Sequence, residues 1–259
     1  MSTVLRVLVL VLVVIGYYWL GKTALFRGAR WLAAHTKVGA ARWDTGQRAD
    51  VLELAVAGAS HVVLVTILLT VSGIGPSILF TGVNRPELLL LGALLGIGQM
   101  ALGSLLCRGI IEATLASQKK PVAAGRVRTR DEEDQGASLR SWLGRSRGGW
   151  IRHHLTTLKV VPLPAAIALT GIQVASEEVV FRGVAITWLR DAGPVVALTT
   201  SIVLFVVMQA FFMSSWQAAM FPLIGGVVMG VVHGLVFWAV PDLAPLIVAH
   251  VVFFFFAVL

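Results

Sequence analysis

Two adjacent glutamates and an arginine interrupt a long apolar run in the second half of the chain. Glu177 and Glu178 precede Arg182 within residues 161–190. Placing an ion at the centre of a bilayer costs about 2.5–3.5 kcal/mol on insertion scales, and such residues usually serve a function. Glu178 and Arg182 are four residues apart, in the order that favours an ion pair along one helix face. Glu177 then has no local countercharge, which makes it the candidate general base for activating a water molecule.

A purely structural role is also open for this cluster of charged residues. The same side chains could form a buried ion network that ties helices together, or the apolar run could end early and leave the cluster at the membrane interface. Gln173 lies one turn before Glu177 and is expected to face the same way, so its amide is a candidate hydrogen-bond partner for that carboxylate.

The composition predicts that these residues lie in a membrane. The chain of 259 residues is 57% hydrophobic and 13% charged, with a mean hydropathy of +0.86. Apolar runs long enough to cross about 30 Å of hydrocarbon recur along it. We predict an all-α protein, a polytopic helical bundle with about seven transmembrane segments, near residues 4–20, 51–72, 87–106, 161–190, 194–214, 217–240 and 243–259.

The run that carries the two glutamates is longer than one crossing needs. Residues 161–190 exceed the roughly 20 residues that span a bilayer. Three explanations stay open: the helix tilts, it extends out of the membrane, or it breaks near Ser176. The answer decides how deep the two glutamates lie.

The basic residues fall into two blocks between apolar runs. The net charge is +8 and the isoelectric point is about 10.6. The concentration of Lys and Arg at 21–50 and 108–159 follows the positive-inside rule, so both segments are predicted to be cytoplasmic. The N-terminus and residues 73–86 are then outside. Because membrane topology explains the charge, no nucleic-acid partner is expected.

The charge pattern also divides the chain into three parts. Residues 1–107 hold the N-terminal membrane helices, residues 108–159 form a basic cytoplasmic linker, and residues 160–259 form a second membrane unit. Within the linker, Lys119 to Gly149 contains few aliphatic residues and cannot bury enough apolar surface to fold alone.

Three motifs in the second membrane unit resemble those of the CAAX prenyl protease and bacteriocin-processing family, which are glutamate-dependent intramembrane endopeptidases with an all-helical core. The family's second motif, Phe-x-x-x-His, corresponds to residues 205–209, where Gln209 replaces the histidine. Its third motif, His-x-x-x-Asn, corresponds to residues 250–254, where Phe254 replaces the asparagine. The first motif is present as Glu177-Glu178-x-x-x-Arg182-Gly183. The resemblance makes 160–259 a CAAX-protease-like membrane core.

The resemblance implies a role for each residue at a matching position. Glu177 would activate the attacking water, while Glu178 and Arg182 would hold the geometry of the site. His250 would help to stabilise the oxyanion of the scissile carbonyl. Gln209 would orient a water molecule through its amide, but it cannot accept a proton.

The implied function is cleavage of a peptide bond in a membrane-anchored protein or peptide that is prenylated, lipidated or sorted by its tail. Gln209 and Phe254 leave a second hypothesis open, in which a relative with impaired catalysis binds a membrane segment as a scaffold, chaperone or immunity protein. A third hypothesis is a transporter, since buried carboxylates also relay protons. The high content of Ala, Val, Leu and Arg, with few Lys, is compatible with a bacterial inner membrane.

Other polar residues give weaker signals. His233 lies between the two altered motifs and could supply an imidazole if its helix face turns inward, although a hydrogen-bonded core histidine is the alternative. His61 and Glu53 are interpreted as packing or interface groups. The chain has no His-Glu-x-x-His run, and no metal or other cofactor is predicted, although Glu177, His233 and His250 could in principle converge on an ion.

Glycines spaced four residues apart predict close helix packing. This spacing lets the backbones of neighbouring helices approach each other. It occurs at Gly92 and Gly96, and again at Gly226, Gly230 and Gly234.

Overall fold

The computed structural model describes residues 1–37, 39, 41–118, 151–211, 213 and 215–258. The predicted linker segment from Lys119 to Gly149 lies outside the described residues. All regular elements in the described part of the chain are helices. This confirms the predicted all-α class.

Eight helices build the bundle in the described part of the chain. They are α1 (Thr3–His35), α2 (Thr45–Ser72), α3 (Pro86–Gln118), α4 (Ile151–Val160), α5 (Leu163–Ile186), α6 (Pro194–Ala210), α7 (Trp216–Ala239) and α8 (Ala244–Val258). Short 3-10 turns at Pro76–Phe80 and Arg190–Ala192 lie between them.

Five of the described helices are long and apolar enough to cross a membrane, namely α1, α2, α3, α5 and α7. The apolar helices α6 and α8 are shorter and occupy the remaining two predicted positions. The structure is therefore the polytopic helical bundle that the hydropathy pattern predicts. The amphipathic α4, with its basic and polar residues, precedes the apolar core of the second unit.

Helix α1 is longer than the predicted span at 4–20. It begins after the cap of Ser2, whose hydroxyl accepts a hydrogen bond from the Leu5 amide, and it continues through the basic segment to His35. Its middle, Val14–Gly21, is π-helical. Lys, Arg and Ala are good helix formers, so the loss of hydropathy after Leu20 does not end the helix.

Helix α5 has no break at Ser176. It begins after Pro162, is α-helical to Glu178, and changes to a π-helix over Val179–Ile186. Its 24 residues span about 36 Å at 1.5 Å per residue, slightly more than the hydrocarbon thickness. The change of helix type follows directly after the two glutamates, and π-helical segments are common at functional sites.

Glycines bring α8 against α3 and α7 against α6. A Cβ atom on Gly92 or Gly96 would collide with the backbone carbonyls of Pro245 and Ala249. On α7, the faces of its spaced glycines meet α6 side chains, with Gly226 against Gln209. The close packing predicted from the spacing is therefore confirmed, and it places α7 and α8 beside α5.

Polar contacts group the loops at the two ends of the bundle. Arg6 donates hydrogen bonds to the Trp188 carbonyl at 2.6 Å and to Asp191 at 2.7 Å, so the N-terminus and the α5–α6 turn share one end. At the other end, the Trp43 indole donates to the Val160 carbonyl at 3.1 Å. This grouping agrees with the alternation of the predicted topology.

Candidate active site

Glu178 is surrounded by three basic side chains from three helices. Arg182 Nη1 lies 3.3 Å from Glu178 Oε1, as the spacing along α5 predicts. His250 Nδ1 on α8 lies 2.7 Å from the same oxygen, and His233 Nδ1 on α7 lies 3.0 Å from Oε2. All four side chains are buried. Removing a carboxylate from water is costly, and these contacts offset that cost.

Arg182 has further partners that fix its position. Its Nη2 donates to the Met229 carbonyl at 3.1 Å, and its guanidinium lies 4.1 Å from the centre of the Phe205 ring. The side chain is completely buried. A planar guanidinium that bonds a carboxylate and stacks on an aromatic ring is well suited to such a position. Arg182 therefore links α5 to both α6 and α7.

His233 faces the interior of the bundle. The sequence alone did not decide whether its helix face turns inward. Its Nε2 lies 3.1 Å from Gln99 Oε1 on α3, and its Nδ1 faces Glu178. Gln99 is a member of this network that the sequence did not indicate, because it lies in an apolar stretch of α3 far along the chain from its partner. Glu178 and its neighbours thus connect α3, α5, α7 and α8.

Glu177 points to a different place from Glu178. It lines a small cavity with side chains from α1, α4, α5 and α6: Tyr18, Lys22, Phe26, His153, Gln173, Met208, Gln209 and Phe211. The free space of about 20 Å³ suits about one water molecule, and the polar lining could hold it. Gln173 shares this cavity with Glu177, as their spacing predicts.

Lys22 is a member of the cavity that the sequence did not reveal. It is 6% exposed and lines the cavity that contains Glu177, with its ammonium 4.8 Å from the centre of the Tyr18 ring. A buried cation requires an anion nearby, and Glu177 is the carboxylate in the lining of this cavity. In the sequence, Lys22 looked like the basic flank of the first apolar run, so only the packing of α1 against α6 and the second unit reveals it.

Gln209 lies between two cavities. It lines the Glu177 cavity and also a second cavity of about 20 Å³, together with His250 and Phe254. Glu177, Gln209 and His250 therefore surround two adjacent small spaces. Of the five predicted site residues, Glu178 and Arg182 form the ion network, and His250 belongs both to that network and to the second cavity.

Phe254 fills the position where the resembled family carries asparagine. Its side chain is 3% exposed and packs with Val174. Its ring centre lies 4.5 Å from that of His154, in an edge-to-face arrangement. This part of the site is apolar packing rather than a hydrogen-bond donor.

The second membrane unit matches a known protein family. Residues 159–256 match the family model described as type II CAAX prenyl endopeptidase Rce1-like. This segment belongs to the Rce1-like family. No curated protein and no solved structure matches the chain. The match supports a function of the CAAX-type intramembrane protease kind, and with the five apolar helices it makes the chain an integral membrane protein.

The Rce1-like segment supplies only part of the site. It contributes α5 to α8, and with them both glutamates, Gln209 and both histidines that face Glu178. Lys22, Gln99 and His153 come from outside the family segment, yet they complete the network and the Glu177 cavity. The first hundred residues are therefore part of the site and not only an anchor.

A larger groove lies between α2 and the Rce1-like helix α5. Its volume is about 700 Å³, and its lining is mostly apolar. Ala175, Ser176 and Val179 of α5 face it, together with Ile247 of α8 and residues 62–79 at the end of α2 and the following loop. The groove contacts the residue directly before Glu177, so it is the large space next to the candidate site.

The described residues do not indicate a metal centre. Within the part of the chain that the structure covers, no group of three or more His, Cys, Asp or Glu side chains has the arrangement needed to hold a metal ion. Glu178 meets both histidines through direct contacts between side chains.

Proposed function

We propose that this protein is an intramembrane endopeptidase in which Glu177 activates a water molecule to hydrolyse a peptide bond. One observation carries the proposal: of the two adjacent glutamates, Glu178 is held by three basic side chains, while Glu177 lines a buried, polar cavity of about 20 Å³. A general base must contact the water whose proton it takes. The cavity gives Glu177 room for such a water, whereas the basic side chains around Glu178 occupy the space next to that carboxylate.

The residues around the two cavities suggest how the reaction proceeds. The water oxygen attacks the scissile carbonyl carbon while Glu177 accepts its proton. His250, in the neighbouring cavity, would carry a proton on both ring nitrogens, so that Nδ1 donates to Glu178 and Nε2 donates to the negative oxygen of the tetrahedral intermediate. The carbon–nitrogen bond then breaks, and the departing amine takes the proton from Glu177. Gln209, which lines both cavities, orients the water through its amide.

The substrate in this proposal is a protein held in or against the membrane. Each cavity at Glu177 and His250 accommodates about one water molecule and no peptide, whereas the groove beside α5 is about 700 Å³ and apolar. An apolar segment or lipid-modified end of the substrate would occupy this groove, so that a neighbouring bond reaches Glu177. Prenylated, lipidated and tail-sorted proteins all present such a segment.

The Glu177 cavity extends toward one end of the bundle. Phe211 and His153 line the Glu177 cavity, and both lie near the end where Trp43 contacts Val160. The basic residues flank this end, so the positive-inside rule assigns it to the cytoplasm. We therefore propose that the Glu177 cavity faces the cytoplasmic side of a bacterial inner membrane, while the apolar groove beside α5 extends toward the opposite end, where residues 73–79 lie.

A second candidate function follows from the two altered motif positions. Phe254 is buried in an apolar cluster and Gln209 cannot accept a proton. A protein that uses the same groove to bind a membrane segment, without cleaving it, would need neither residue. This scaffold, chaperone or immunity function predicts that the phenotype survives the loss of Glu177.

Mass spectrometry of protein termini distinguishes the two functions. Membrane and secreted proteins would be compared in cells that carry the wild type, Glu177→Ala, or the matched control Glu112→Ala, whose carboxylate is exposed on α3. Accumulation of specific precursors with Glu177→Ala alone supports the protease and identifies its substrates. Identical termini in all three strains, together with a phenotype when the whole protein is deleted, would support the binding function.

A further inference from the structure

His153 is a buried imidazole outside the Rce1-like segment, and one of its ring nitrogens faces a carboxylate. The side chain, on α4, is 2% exposed. Its Nδ1 lies 3.7 Å from Glu53 Oε2 on α2. Its Nε2, on the other edge of the ring, is buried and has no hydrogen-bond partner among the described residues. A buried polar atom of this kind normally has a partner, so Nε2 requires an explanation.

Glu53 is the carboxylate that faces Nδ1 of the His153 ring. The carboxylate is 2% exposed and accepts a hydrogen bond from Arg30 at 2.6 Å, and Arg152 lies 3.9 Å from it. A carboxylate beside one ring nitrogen of histidine fixes the tautomer, because it favours the N–H on its own side. We therefore expect the proton on Nδ1, which leaves a lone pair on Nε2.

The same ring lines the cavity that contains Glu177 and Gln209. Phe26, another member of the lining, meets the ring in an edge-to-face arrangement, with ring centres 5.6 Å apart. Burial lowers the pKa of His153, while Glu53 opposes that shift. The imidazole is therefore neutral at physiological pH and can accept a hydrogen bond.

We propose that His153 positions the attacking water together with Glu177, and so replaces the imidazole that Gln209 no longer supplies. This inference rests on the proposed peptidase function. One hydrogen of the water bonds to His153 Nε2, and the other is transferred to Glu177 as the oxygen forms its bond to the carbonyl carbon. His153 gains no proton in this step. It is a positioning residue, and Glu53 acts through it.

Two variants separate this role from structural support. His153→Asn retains an amide donor on the Glu53 side but lacks the Nε2 end of the ring, and His153→Phe retains the ring volume. The matched control is His35→Phe, which changes an exposed histidine at the end of α1. The substrate would be a quenched fluorogenic peptide, copied from a precursor that accumulates with Glu177→Ala, and cleaved by the purified full chain in proteoliposomes.

We expect both His153 variants to lower kcat by about 100-fold, with little change in KM or in melting temperature. Adding Gln209→His to either variant should recover at least about tenfold of the loss, because position 209 lines the same cavity. Gln209 lies on α6 and Glu53 on α2, so this second change could not repair a contact that His153 makes for stability alone.

Three results would overturn the inference. A kcat within threefold of the wild type in both His153 variants, with Glu177→Ala inactive, would refute the role of His153 and leave the peptidase standing. A loss of activity that accompanies a lower melting temperature and is not recovered by Gln209→His would make His153 a structural contact. Absence of cleavage by the wild type, with no accumulated precursors, would refute the proposed function and this inference together.

Discussion

His250 Nδ1 lies 2.7 Å from Glu178 Oε1, although 72 residues separate the two along the chain. The contact joins α5 to α8 within the bundle. His233 and Arg182 approach the same carboxylate, so the interior of the second membrane unit is organised around one anion. The adjacent Glu177 is thereby left to face a different space. Two carboxylates that are neighbours in sequence thus have different surroundings, and we expect their substitutions to have different effects.

Replacing Glu177 should abolish activity and cost less stability than replacing Glu178, because one cation, Lys22, shares its cavity whereas three basic side chains contact Glu178. Glu177→Gln keeps the side-chain shape and removes the proton acceptor, so we expect a loss of about 100-fold or more in kcat, the usual contribution of a general base. Glu178→Gln should instead reduce the amount of folded protein, because it leaves Arg182 buried without its anion. Cleavage assays and detergent melting curves on both variants check this. Equal losses of stability in the two variants would contradict the assignment.

Removing the buried arginine should destabilise the fold strongly. Arg182→Ala leaves Glu178 without its cation, and breaking a buried pair typically costs about 3–5 kcal/mol. The control is Arg108→Ala, which removes an exposed pair of the same four-residue spacing, with Arg108 Nε 2.7 Å from Glu112. We expect no measurable effect there. Thermal unfolding in detergent is the measurement, and similar melting temperatures for both variants would show that the Glu178 network is not needed for stability.

The contact between α3 and α8 should not tolerate a side chain at Gly96. A Cβ atom there would collide with the Ala249 carbonyl and would lie 2.9 Å from Val252 Cβ. Overpacking of this kind costs about 1–3 kcal/mol. We expect Gly96→Ala to lower the melting temperature and the activity, because α8 carries His250. Gly98→Ala, where nothing lies within 4 Å of the added atom, is the control. An unchanged Gly96→Ala protein would argue against this helix packing.

Filling the apolar groove should weaken substrate binding more than catalysis. Ala175 lines the groove and Ala168, on the same helix, is exposed outside its lining. We expect Ala175→Trp to raise KM by about tenfold, equivalent to about 1.4 kcal/mol of binding, with kcat nearly unchanged. Ala168→Trp should leave both constants as they are. If the two tryptophan variants behave alike in steady-state assays, the substrate does not use this groove.

The sequence predicted features that depend on local spacing. Mean hydropathy and the length of apolar runs were enough to predict the all-α membrane bundle. In lipid, the backbone N–H and C=O groups must form hydrogen bonds within the protein, and few folds other than helices achieve this. The Glu178–Arg182 pair and the shared direction of Gln173 and Glu177 followed from the helical repeat of 3.6 residues. Glycine spacing predicted close contacts of helices for the same reason.

Features that depend on distant parts of the chain could not be predicted in this way. Lys22, Gln99 and His153 reach the site only because α1, α3 and α4 pack against the second membrane unit. No local pattern marks them, since an isolated lysine or glutamine looks the same at a helix end as in a site. The π-helical segment after Glu178 was also missed, because its residues form an ordinary apolar run.

Gln209 separates two compartments that hydrolysis has to connect. One holds the proposed base and the other holds His250, and the glutamine side chain belongs to the wall of both. In the proposed mechanism, rotation of this side chain about its χ angles would merge them without movement of a helix. A peptide bond of the substrate would then occupy the space between the two cavities that the Gln209 amide fills in the resting protein. The resting protein would then keep the water in the Glu177 cavity away from the oxyanion position beside His250 until a substrate displaces the amide. Binding of the substrate would thus activate the water through a change in one side-chain rotamer.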